Sequence, residues 1–219
     1  MTDAHIAAII SAGAGIVGVI LGNSFVAIKE YFVNRIKDEK DSSYLAILVV
    51  SHLDRFANGC MHVAFDDGTS EGRPAGNNGE YYETTVEPPE FKPLDIEVEW
   101  KVLPKDLLYD TLQIPDKREH IENRHAGIWE FVDAPDYGEF FRARRRDYAE
   151  LGLHVSAVSK RLRKYAGMQI EESPPGEWNR EVAMQEIIEK VDAERAAYEK
   201  RIAEGDAKGS KMTAMWRKP

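Results

Sequence analysis

Gly13-Ala14-Gly15-Ile16-Val17-Gly18 spells G-x-G-x-x-G, the pattern in which glycines let a strand-to-helix turn cradle a dinucleotide pyrophosphate. That chemistry needs a strand before the motif, a one-sided helix after it, and a second strand tipped by Asp or Glu. The residues that follow fail this test. Val19-Ile20-Leu21 and Phe25-Val26-Ala27-Ile28 are apolar nearly all round, and the charged stretch from Lys29 to Asp41 has helical rather than alternating periodicity. A nucleotide-dependent enzyme is therefore the third and disfavoured reading.

Other chemistry-bearing residues are sparse. His120 and His125 are five apart, which turns them about 140° from each other on a helix, whereas a helical zinc pair needs a spacing of three or four. They are expected to be surface histidines. Cys60 and His62 also fall on different helix faces, and no second cysteine exists for a thiolate cluster or an intrachain disulfide. Cys60 is expected to be a small core residue. Asp95, Glu97 and Glu99 share one side of an alternating segment, as on the solvated face of a half-buried strand. No catalytic residue, metal ligand or cofactor-binding residue is assigned, and the chain is not expected to be an enzyme.

The element that explains the glycines is a membrane helix. Ile6 to Ile28 contains no Asp, Glu, Lys or Arg, and about 23 residues at about 1.5 Å each span a hydrocarbon core of about 30 Å. Ala14, Gly18 and Gly22, spaced by four and widened by Ser11 and Gly15, form a small-residue stripe that admits a second helix at close range. No Lys or Arg precedes the span, while Lys29, Arg35, Lys37 and Lys40 follow it. This predicts an uncleaved single-pass anchor with the N-terminus outside and the rest in the cytoplasm.

The remaining chain reads as a mainly α-helical domain with a minor β element. Residues 29–65 form juxtamembrane and core helices, interrupted by a break and N-cap at Asp41-Ser42-Ser43. Tyr44 to Val50 is apolar but too short to cross a bilayer, so a core helix is expected, with membrane contact as the alternative. Residues 66–93 form an acidic, mobile loop region. Leu94, Ile96, Val98 and Trp100 alternate with acids, which predicts a strand paired with Tyr81 to Val86. In the 94–170 unit, short helices follow Pro104 and Pro115, and then a long one runs from Tyr137 to Tyr165. Its seam comprises Phe141, Tyr148, Leu151, Val155, Val158, Leu162 and Tyr165, and Arg144 projects onto that seam, where it needs a carboxylate. A C-terminal amphipathic helix covers 176–204, packing back or forming a coiled coil, and a disordered basic tail covers 205–219.

Net charge is −9, which excludes bulk attraction to polyanions. Yet eight Lys or Arg residues and only two acids lie between Arg142 and Lys164. Arg142, Arg146, Lys160 and Lys164 share one face and are the candidate anion-binding residues. They are either paired with the acidic 66–99 region of the same chain or of a neighbouring subunit, or directed at anionic lipid, with nucleic acid disfavoured. The leading expectation is a membrane-anchored, homo-oligomeric structural or interaction protein. The alternative is a membrane-tethered binding module that uses this basic helix.

Overall fold

The structure is a computed structural model. It describes the backbone of residues 3–132, 137–170, 174 and 176–216, and the side chains of these except 3–22, 27, 34, 38 and 205–216. The chain is mainly helical. In order, it comprises α1 (Asp3–Phe65), a two-stranded hairpin of β1 (Thr69–Ser70) and β2 (Arg73–Pro74), α2 (Lys105–Leu112), α3 (Ile114–Trp129), α4 (Gly138–Tyr165) and α5 (Arg180–Trp216).

The bundle is built on α4. Its seam is buried from Phe141 to Leu162, while Tyr165, the last residue of the predicted stripe, is exposed. Against that seam α1 lays Leu45, Val49, Leu53, Phe56 and Cys60, all buried. Each such side chain contributes roughly 1.5–3 kcal/mol by leaving water. Asp54 of α1 meets Arg163 of α4, and the Ala64 carbonyl accepts from Arg145, so the two helices run antiparallel. A second cluster seats α5 through Met184, Ile187, Ile188 and Val191 against Met61, Ala64 and Ala149. Contacts Lys160–Glu181 and Arg146–Asp192 make α5 antiparallel to α4, hence parallel to α1. Gly152 sits where the three helices meet: a Cβ there would lie 2.5 Å from Met184 Sδ and 3.1 Å from Cys60 Cβ.

Local signals fix the helix ends. Asn179 Oδ1 accepts from the amides of Glu181 and Val182 at 2.8 and 3.1 Å and caps α5. At the end of α4, Gly167 adopts a φ of +67°, the Met168 amide returns to Arg163 O at 2.9 Å, and the Gly167 amide to Lys164 O at 3.3 Å. This is a Schellman cap, which needs the left-handed residue that glycine supplies. Pro115 falls in the first turn of α3, where its missing N–H costs nothing.

Three expectations are corrected. There is no break at Asp41-Ser42-Ser43: α1 runs on, and the Ser42 hydroxyl donates to the Glu39 carbonyl at 3.0 Å instead of capping a new helix. No strand forms at 94–100. Ile96, Val98 and Trp100 do turn toward the core, but 3₁₀ turns at Pro93–Asp95 and Trp100–Val102 bracket a bent segment in which the Val98 amide returns to the Ile96 carbonyl at 2.9 Å. The hairpin lies instead inside the stretch read as a mobile loop. The tail read as disordered is helical as far as Trp216.

The missing strand pair has a cause. The backbone donors of its expected partner are taken by a side chain. Asp66 Oδ2 accepts from the amides of Thr85 (3.0 Å) and Val86 (3.1 Å) and from Arg144 Nη1 (2.7 Å). Oδ1 accepts from the Gly68 amide at 3.1 Å and from Thr85 Oγ1 at 2.8 Å. Arg144 also donates to the Val86 carbonyl. Both charged side chains are buried, so the arginine predicted to need a carboxylate on the seam has one. Burial alone would raise the Asp66 pKa; the hydrogen bonds from Thr85, Gly68 and Arg144 outweigh it and hold the carboxyl below the usual range. A lowered folded-state pKa contributes stability above the ordinary carboxylate value of about 3.9, and that stability is lost as pH falls through the folded value. Asp66→Asn should therefore cost about 3–5 kcal/mol at pH 7, as expected for a stranded buried charge. The gap to wild type should narrow below about pH 4, and urea unfolding at pH 7 and pH 3 checks both.

Candidate functional site

Two surfaces and one cleft could carry function. The first surface is the N-terminal part of α1. Its burial in the bundle begins at Ser42, and the described side chains from Asn23 to Asp41 are exposed on every face. That length projects about 30 Å beyond the bundle. Phe25 is 71% exposed, and Val26, Ile28, Tyr31, Phe32, Val33 and Ile36 all exceed half exposure. An isolated helix with so much apolar surface has nothing of its own to pack against. Among the described residues no helix is long and apolar enough to cross a membrane. Ser11, Ala14, Gly15, Gly18 and Gly22 fall outside the described side chains, although the α1 backbone passes through them. Gly13 to Gly18 accordingly lies within a helix and not in a strand-to-helix turn.

The second surface is the basic side of α4. Arg146 pairs with Glu150 and with Asp192 of α5, each at 2.7 Å, and the Asp192 hydrogen bond raises the guanidinium pKa. Lys160 pairs with Glu181 of α5 at 2.5 Å. Arg142 stacks over the Tyr198 ring at 5.3 Å, and Lys164 is exposed in the last turn. Beside them, Arg163 and Ser159 bind Asp54 of α1, and Arg161 binds Asp106 and Asp110 of α2. The acidic complement thus comes from α1, α2 and α5. Among the described residues of α4, Arg144 alone is seen to draw on the 66–99 region that was expected to supply it. Glu181 and Asp192 flank the apolar seam of α5 in the sequence, and that placement is the signal which could have found these pairs.

The cleft, of about 580 Å³, lies between α3 and α4 and is lined among others by Asp116, Lys117, His120, Arg124, Asp147 and His154. Asp147 is buried; it takes a hydrogen bond of 2.8 Å from His125 Nε2 and an ion pair from Arg124. His125 is buried against Phe140 and Tyr148, which corrects the surface reading for this histidine, whereas His120 is exposed as expected. The spacing of five separates them in just this way. His154 Nε2 is buried without a hydrogen-bond partner among the described residues, and burial, with Lys117 nearby, lowers its pKa. Among the described residues no Ser, Thr or Cys lines this cleft, and the hydroxyl it holds is the phenol of Tyr109. Among the described residues no three His, Cys, Asp or Glu side chains converge for a metal ion. Cys60 is buried in the core, and burial pushes its thiol pKa up.

No protein-family model, curated protein or solved structure matches this chain. Its functional reading therefore rests on its own residues. The ion pairs differ sharply in what they contribute. Asp147→Ala strands the buried His125 beside a half-exposed Arg124 and should cost about 3 kcal/mol. Lys160→Glu breaks a partly exposed pair and should cost less than about 1 kcal/mol. Urea midpoints of the two variants, measured side by side, check the ranking.

Proposed function

We propose that this protein is a membrane-anchored structural or interaction protein that assembles with copies of itself. The N-terminal part of α1 enters the bilayer with its start outside, and the helical bundle stands on the cytoplasmic side. One observation carries the reading: α1 leaves the bundle as an unbroken helix whose described large apolar side chains from Phe25 to Ile36 are more than half exposed. The charge-free run from Ile6 to Ile28 continues that helix into a length that suits hydrocarbon. Lys29, Arg35, Lys37 and Lys40 then sit at the cytoplasmic boundary. The stripe of Ser11, Ala14, Gly15, Gly18 and Gly22 is where spans would associate.

A second reading, contact with anionic lipid, is favoured by direction. Because α4 runs antiparallel to α1, its C-terminal end, with Lys160 and exposed Lys164, points the same way as the α1 projection. Under this proposal that end faces the inner leaflet but stands about 35 Å from it along α1, several Debye lengths, so the contact requires α1 to tilt toward the surface. The far end of α5 points away from it.

Alkaline-carbonate washing of membranes tests the anchor. The full chain should remain in the pellet, and a chain lacking residues 1–28 should appear in the supernatant. Release of the full chain, in a monodisperse form without detergent, would remove the proposal.

A further inference from the structure

We infer that the exposed stripe on α1 from Phe25 to Ile47 binds a second copy of the same stripe, in parallel and in register. Its orientation rests on the anchor proposed above, which would hold both copies the same way up. The stripe has an eleven-residue repeat. Phe25, Ile36 and Ile47 are eleven apart and 71%, 54% and 45% exposed. Phe32 and Ser43 repeat at the same interval between them, with Val33 and Tyr44 alongside. Eleven residues make three turns of 3.67 residues, close to the natural α-helical period, so the stripe stays on one side of a nearly straight helix. Past Ser42 the stripe runs beside the covered side of α1: Ser43 is half-buried, Ile47 is 45% exposed, and Val50, next on the same line, is buried in the core.

The lower half of the stripe has the shape and charge for a copy of itself. Ile36, Glu39, Lys40, Ser43, Tyr44 and Ile47 surround a shallow depression of about 470 Å³. Ser43, the small residue, leaves room for a knob from a facing helix. Glu39 and Lys40 flank the stripe at the same level. In a parallel, in-register pair, each Glu39 meets Lys40 of the second copy, giving two ion pairs related by the twofold axis. A lipid surface would have no use for Glu39 at that level, and an acidic or basic partner would satisfy only one of the two charges.

The test is oxidative cross-linking of the full chain in membranes, with single substitutions Ile36→Cys, Ile47→Cys and Asp41→Cys. The last is exposed and lies about 140° round the helix from Ile36. The wild type serves as blank for Cys60, which is buried. Ile36→Cys and Ile47→Cys should each give a covalent dimer at least ten-fold above Asp41→Cys. These positions are about 16 Å apart along α1, and only parallel, in-register helices bring both like pairs within disulfide reach. No excess over Asp41→Cys, as a lipid-bound stripe would give, overturns the inference. So does a covalent dimer that forms only when the Ile36→Cys and Ile47→Cys chains are expressed together, as in an antiparallel pair. The alkaline wash on the same membranes separates the two proposals: cross-linking in a chain that washes out keeps the stripe and removes the anchor, and a pelleted chain without cross-links does the reverse. Light scattering gives an independent reading, with wild type at twice the chain mass or more and Ile36→Glu/Ile47→Glu at a lower multiple; equal masses count against the stripe.

Discussion

Asp66 and Arg144 are buried together at the point where α1 ends and the long 66–104 connection begins, and the rest of the structure is arranged round that pair. An arginine in the middle of an apolar seam would be intolerable alone, and a carboxylate without exposure equally so. Together, with Thr85, Gly68 and Val86 completing the hydrogen bonds, they close the connection onto the bundle. That closure places Phe91, Leu103 and the inward side chains of Ile96, Val98 and Trp100 over the α1–α4 core. It also explains why a connection with so little regular structure has a defined course. The Asp66 carboxylate takes the amides of Gly68, Thr85 and Val86, and the short hairpin and single turns take others.

With the connection closed, the bundle leaves two helices running beyond it in opposite directions. α1 projects past the C-terminal end of α4, and α5 continues past the N-terminal end. The ion pairs of α4 with α1, α2 and α5 hold this alignment and fix which cations remain for other partners. The α1 projection is the part whose surface chemistry is unfinished. Its apolar residues require lipid, another helix, or lipid above and a helix below.

Much of this was legible in the residues. The seam of α4 with its arginine and the core helix through Leu45, Val49 and Val50 follow from local spacing, whereas the caps at Gly167 and Asn179 were not read from it. The alternation at 94–100 was read with its faces largely correct, but a strand needs a partner, and the claim of Asp66 on Thr85 and Val86 is set 20 residues away. Asp41-Ser42-Ser43 resembles a cap because the same hydroxyl can serve the helix it sits in or start a new one; tertiary burial of Ser42 decides. His125 looked like its neighbour His120 until α4 supplied Asp147, 22 residues on, to receive it. The basic face was visible, while its partners on α5 depended on how that helix packs.

As proposed above, α1 would be one rod that passes from lipid into the bundle, and its depth can be measured directly. Nitroxide labels placed singly at residues 20–40 of the full chain in vesicles report collisions with oxygen, enriched in lipid, and with a water-soluble nickel chelate. The account predicts oxygen-dominated collisions up to Ile28, a crossover by about Glu30, and beyond it nickel accessibility that varies with a period near 3.6 residues. Nickel-dominated collisions throughout 20–28, or loss of the helical period between 30 and 40, would contradict it.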